Sequence, residues 1–118
     1  MKTLVVGASP NSVRYSYKAV RLLKHFNHEV IPLGIRDGEI DGLNIIKGKP
    51  DFADIHTITM YIGPARQSEY YSYLLGLNPE RIIFNPGTEN PEFIKMAENK
   101  GIETVQKCTL VMLNTGYF

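Results

Sequence analysis

The chain has no tryptophan and a single cysteine, Cys108. One cysteine excludes an internal disulfide and is the usage expected in a reducing cytoplasm. Long apolar runs are missing as well: nothing approaches the roughly 20 residues that span a bilayer, so no membrane partner is expected. Lys2 precedes only a short apolar run broken by Gly7, and no signal peptide is expected. An excess of one charge is also absent. The 13 Lys and Arg against 12 Asp and Glu leave a net charge of +1. The cations lie dispersed along the sequence, so no basic stripe points to nucleic acid. His25, His28, His56 and Cys108 show no metal-ligand spacing, and no Ser-His-Asp order is readable. His25 and His28 flank a helix end and His56 opens a strand, where solvated or structural roles are expected. No catalytic residue and no metal ligand is assigned.

What remains is the composition of an ordinary soluble globular protein, 43% apolar and 21% charged over 118 residues. One domain over residues 1–118 is expected, large enough for a single core. Repeats, linkers and low-complexity segments are not seen. Short apolar runs mark strands at Thr3–Val6, Val30–Leu33, His56–Ile62, Arg81–Phe84 and Glu103–Val105. Leu43–Ile46 is expected to add a short strand at the sheet edge. Between these runs, helices are predicted from near Ser12–Tyr15 to Asn27, from Pro64 to Gly76, and from Pro91 to Lys100. A turn or one helical turn is expected from Lys49 to Ala53. Strands alternating with helices give an α/β, Rossmann-like three-layer fold with a mostly parallel sheet of about five or six strands.

The opening stretch, strand then Gly7-Ala8-Ser9-Pro10-Asn11-Ser12 then helix, is the first half of a mononucleotide-binding unit. Gly7 and Ala8 let a phosphate approach the main chain, and N–H groups at the helix start point at that anion. The dinucleotide fingerprint is nevertheless incomplete. Ser9 and Ser12 stand where it requires glycine. No acid ends the second strand to hold a ribose, Asp37 being the nearest later candidate. In a parallel sheet, ligands bind at the carboxyl ends of the strands. Three loops fall there: Gly7–Ser12, Tyr61–Pro64 and Asn85–Thr88. Together they outline one crevice.

Several motifs in this order carry a resemblance. They are Val6-Gly7-Ala8-Ser9-Pro10 with Arg14-Tyr15-Ser16-Tyr17-Lys18, and His28-Glu29-Val30-Ile31-Pro32. The turn Tyr61–Pro64 with Gln67 follows, then Asn85-Pro86-Gly87-Thr88-Glu89-Asn90, and last Cys108–Leu113 with Thr115-Gly116. Over nearly its whole length the chain resembles the stand-alone CoA-binding domain proteins, which are similar to the nucleotide-binding domain of the succinyl-CoA synthetase α-subunit. Ser12 departs from the pattern, which often has proline there. The resemblance implies a ligand, coenzyme A or an acyl-CoA. It implies a site made of Gly7, Ala8, Ser9, Arg14, Tyr15, Lys18, Pro32, Tyr61, Ile62, Pro64, Pro86 and Gly87. Gly7, Ala8 and Ser9 would meet the phosphates, and Arg14 and Lys18 would supply positive charge to the 3′-phosphate or pyrophosphate. Pro32 and the Tyr61–Pro64 turn would flank the adenine or pantetheine path. The missing acid is then explained, because it would repel the phosphate on the CoA ribose.

No reaction is implied, since the synthetase's phosphorylated histidine comes from a second domain. The expected function is a non-catalytic module. The alternatives are a CoA-using subunit that needs a partner chain and a binder of NAD(P) or an adenine nucleotide. Cys108 is read as a small packed residue of the tail, with a mixed disulfide or acyl adduct with CoA as the alternative. The tail, with Leu110–Leu113 and Tyr117-Phe118, either closes the core or covers a subunit interface; a homodimer or an unknown protein partner stays open.

Overall fold

The β-branched and aliphatic runs of the sequence become strands, and the segments with apolar residues at three- and four-residue spacing become helices laid over them. The computed structural model describes residues 1–118. In chain order the elements are β1 (Thr3–Val6), α1 (Tyr15–His25), β2 (Val30–Leu33), β3 (Glu39–Ile40), β4 (Leu43–Asn44) and β5 (Thr57–Met60). Then come α2 (Pro64–Gln67), α3 (Tyr71–Gly76), β6 (Arg81–Phe84), α4 (Pro91–Asn99), β7 (Glu103–Val105) and α5 (Thr109–Thr115). Five strands form one parallel sheet in the order β2-β1-β5-β6-β7, a three-layer Rossmann-like α/β fold. The chain leaves β1 toward β2 on one side and leaves β5 toward β6 on the other. Adjacent strands whose connections diverge in this way open a crevice between their ends.

Both faces of the sheet are covered, which is why its strands read as continuous apolar runs. Leu4, Val6, Ile58, Met60, Ile82 and Phe84 belong to the larger core cluster, with Leu74 and Leu75 of α3 and Phe93 and Ala97 of α4. Phe93 stacks on Tyr71 at 4.6 Å between ring centroids and meets Phe84 edge-on at 5.8 Å. Val5 and Val30 join Val20 and Leu23 of α1 and Leu113 of α5 in the smaller cluster on the opposite face. On that face β5 presents Thr57 and Thr59, both fully buried. Their alternation with Ile58 and Met60 looks like a half-exposed strand in the sequence. Here the hydroxyls are satisfied internally: Thr57 Oγ1 accepts from Arg81 Nε at 2.8 Å, and Thr59 Oγ1 pairs with Thr109 Oγ1 at 2.8 Å. Burial without those bonds would be costly.

Four local features depart from the sequence reading or resolve what it left open. The helix expected from Pro64 to Gly76 is broken by a 3-10 turn at Ser68–Tyr70, where the Lys49 ammonium bonds the Glu69 carbonyl at 2.6 Å. Residues 49–53 form no helical turn and run open, held by Tyr73 Oη on the Pro50 carbonyl. Leu43–Asn44 pairs with Glu39–Ile40 in a hairpin, and only Ile46 reaches the sheet edge, bridging Leu33. The tail folds as α5 against α1 and ends at Gly116 in the left-handed region with φ of 79°. The Phe118 ring centroid then lies 4.9 Å from that of His28 and 4.4 Å from the Arg81 guanidinium carbon. Of the tail's buried residues Thr109, Met112 and Leu113, Leu113 joins the smaller core cluster of this chain.

His28 has its pKa lowered below the ordinary 6.5, first by burial, then by the positive amino terminus beside it and by Arg81. Because the unfolded chain takes up that proton more readily, His28 makes stability greatest above pH 6.5 and lowers it as pH falls toward the folded-state pKa. Thermal melts between about pH 7.5 and 5.5 are expected to show a smaller acid-side drop for His28→Gln than for the wild type.

Candidate functional site

The crevice at the β1–β5 divergence is a cleft of about 450 Å³ at the carboxyl ends of the strands. Four loops build it. Gly7, Ala8 and Ser9 follow β1, Gly34, Ile35 and Arg36 follow β2, Tyr61, Ile62 and Gly63 follow β5, and Pro86, Gly87 and Thr88 follow β6. The start of α1 adds Arg14, Tyr15 and Ser16, and the α2 side adds Arg66 and Tyr70.

Two glycines hold these loops in contact. Gly7 has φ of 93°, and a Cβ there would fall 2.8 Å from Ile62 Cγ2 and 3.0 Å from the Tyr61 carbonyl carbon. A Cβ on Gly34 would fall 2.3 Å from the Ala8 carbonyl oxygen. The Leu33 carbonyl accepts from both Gly7 N–H and Ala8 N–H at 2.9 Å. Those two amides are therefore committed to the scaffold, and Gly7 and Ala8 serve the site by letting other groups come close. Uncommitted amides lie further on. No side chain caps α1, and the N–H groups of Tyr15, Ser16 and Tyr17 have no protein acceptor. These first-turn donors, with the positive end of the helix dipole, suit an anion.

The loops after β5 and β6 are joined by a buried amide. Gln67, fully buried, donates from Nε2 to the Ile62 carbonyl at 2.9 Å and to the Thr88 carbonyl at 2.8 Å. Its Oε1 accepts from Asn90 Nδ2 at 3.0 Å, and Asn90 Oδ1 caps α4 by accepting from Phe93 N–H. Asn85 makes a second clamp, donating to Thr59 Oγ1 and the Met60 carbonyl and accepting from Thr109 N–H at 2.8 Å. The Tyr61 hydroxyl lies buried near Thr59, Thr109 and Cys108 without a bond of its own. Burial, and then the nearby Cys108, push its pKa upward, so the phenol stays protonated.

Electrostatically the cleft is one-sided. Arg14, Arg36 and Arg66 line it, none is in a salt bridge, and no Asp or Glu is among the lining residues. His, Cys and Lys are absent from the lining too. Of the residues named from the sequence, Gly7, Ala8, Ser9, Arg14, Tyr15, Tyr61, Ile62, Pro86 and Gly87 come together here. Lys18, Pro32 and Pro64 do not line the cleft. Lys18 lies along α1 with its ammonium 5.4 Å from the Tyr15 ring centroid and lines a separate groove. Pro32 is buried inside β2, its carbonyl bonded outward to Ile46 N–H, and Pro64 opens α2. Cys108 lines a third depression with Val111 and Met112. Arg36 and Arg66 escaped the sequence reading. Arg36 had a signal, since it follows the strand after which a dinucleotide fold puts its ribose acid. Arg66 had none, because only the folded α2 turns it into the crevice.

Residues 1–114 match the model of the CoA binding domain family. The chain belongs to that family. A protein described as uncharacterized is 48% identical, superposes with a TM-score of 0.97, and the alignment covers 99% of this chain and 97% of that one. A Thermus thermophilus protein shares the fold at 21% identity and a TM-score of 0.87, over 99% of this chain and 90% of its own. A hypothetical protein of Pyrococcus horikoshii does so at 23% identity and 0.86, over 96% and 81%. No curated protein matches the chain.

The fold of this member of the CoA binding domain family depends on its buried amide clamps. Gln67→Ala is expected to leave the Ile62 and Thr88 carbonyls unpaired and to cost about 2–4 kcal/mol in a denaturant melt. Gly7→Ala, forced into positive φ against Ile62, is expected to cost about 1–3 kcal/mol in the same measurement.

Proposed function

We propose that the protein binds coenzyme A or an acyl-CoA through its phosphorylated nucleotide portion and catalyses no reaction by itself. The observation that carries this reading is the trio of unpaired arginines around a carboxylate-free crevice, in a chain of the CoA binding domain family. CoA carries a pyrophosphate and a ribose phosphate, and guanidinium groups recognise phosphate through paired, charge-assisted hydrogen bonds. Arg14 and Arg66 come from helices on opposite sides of the crevice and are suited to the pyrophosphate, together with the free first-turn amides of α1. Arg36 stands after β2 and is suited to the ribose 3′-phosphate. Tyr15 and Ile35 offer exposed apolar surface at the mouth for the base.

The lining has no His, Cys, Asp, Glu or Lys to move a proton or attack a thioester, and this supports a carrier or sensor. A single cysteine fits work in the cytoplasm. One observation favours a second reading. An arginine after β2 also suits the 2′-phosphate of NADP, so a phosphorylated dinucleotide is the competitor.

Calorimetry with CoA, dephospho-CoA, NADP and ATP separates the two. CoA is expected to bind about tenfold tighter than dephospho-CoA, and Arg36→Ala is expected to remove that preference. Arg14→Ala and Arg66→Ala are expected to weaken CoA and dephospho-CoA alike. NADP outcompeting CoA would replace the first reading with the second.

A further inference from the structure

Lys18, Arg21, Lys24 and His25, all exposed, lie on α1, a helix without a single Asp or Glu. Their spacing of three and four residues makes them look dispersed in the sequence, yet the helix stacks them on one side. With Ser12, Tyr17 and Leu22 they line a groove of about 740 Å³ against the turn at Asp41. Asp41 is the groove's one carboxylate, and it is occupied: its Oδ2 lies 3.8 Å from Lys24 Nζ, and its carbonyl also accepts from that ammonium. Lys18 and Arg21 take part in no salt bridge.

Helix stability accounts for only part of this row: Lys24 and His25 lie in the last turn, where the dipole favours cations, whereas Lys18 lies in the first. The dipole favours acids in the first turn, and exposed helix faces gain from opposite charges four residues apart. The first turn of α1 has no acid and contains Lys18. Lys18 is therefore set against the helix's own preference and Arg21 has no acid on its helix to pair with, in a chain whose net charge is only +1. It also lies apart from the arginine cleft, with which it shares no lining residue.

We propose that this groove docks an acidic, extended segment of a partner protein. Successive cations stand about one helical turn, roughly 5.4 Å, apart. Carboxylates on alternate residues of an extended peptide stand roughly 6–7 Å apart on one side, a spacing that meets the row. Tyr17 is partly buried against the core cluster, which limits the ring surface on which nucleic-acid bases could stack in the groove.

The test is an amide-shift NMR titration of the full chain with a synthetic decapeptide alternating Glu and Ser, followed by affinity measurement. Shifts centred on Lys18, Arg21 and His25 are expected. Affinity should fall about tenfold or more in Lys18→Glu/Arg21→Glu, and likewise on raising salt from about 50 to about 300 mM. Circular dichroism and CoA calorimetry on the variant check that the fold and the cleft are intact, with Lys18→Gln/Arg21→Gln as a second variant if the first does not fold. Absence of shifts, or affinity unchanged in the variants, overturns the proposal. Tighter binding of a single-stranded oligonucleotide at the same residues overturns it in favour of nucleic acid.

Discussion

The Leu33 carbonyl, accepting from both Gly7 and Ala8, is the point on which the cleft depends. It ties the end of β2 to the loop after β1, and it does so at separations that only small residues permit. Gly34 sits where any side chain would run into the Ala8 carbonyl, and Gly7 sits where any side chain would run into Ile62. Three adjacent strand ends are thereby held within van der Waals contact. The crevice floor is main chain and small side chains, so the functional groups are left to stand around its rim.

The polar groups buried beneath that floor fix the loops that the glycines bring together. Gln67 reaches both the Ile62 and Thr88 carbonyls, and Asn85 reaches Thr59, Met60 and Thr109. In a low-dielectric interior a fully paired amide is firmly held and an unpaired one is expensive. These side chains therefore specify one arrangement of the loops after β5 and β6. Thr57 and Thr59 take the place of aliphatic residues on that face of the sheet. The apolar cluster there has 8 buried members against 15 on the other face. Some hydrophobic burial is exchanged for polar anchoring next to the site.

Charge is arranged with the same economy. Helix α1 carries Arg14 at its cap and Lys18 in its first turn, positions where its dipole favours acids. An anion at the free amides of Tyr15, Ser16 and Tyr17 would reverse that penalty, which makes ligand binding and helix stability favourable together. The acid that a dinucleotide fold would place after β2 is replaced by Arg36. On the proposed reading, a phosphate on the ribose would meet attraction there in place of repulsion.

Much of this was legible in the sequence. Runs such as Thr3–Val6 and Arg81–Phe84 specify buried strands because parallel sheets covered on both faces need apolar residues at every position. Gly7-Ala8-Ser9 and Asn85–Thr88 specify loops because small and turn-forming residues end periodicity. Their order implies the sheet, and the sheet implies that the loops meet. What the sequence could not carry was the direction of individual side chains. The helix from Pro64 is interrupted by a 3-10 turn at Ser68–Tyr70, where Lys49, 20 residues away, donates to the Glu69 carbonyl. Arg66 enters the cleft through the placement of α2, and Lys18 leaves it through the rotation of α1. Local propensity and hydrophobic period set which segments form and which faces are buried. Which cations surround the crevice was decided only when distant segments packed, because that depends on helix orientation about an axis no local residue defines.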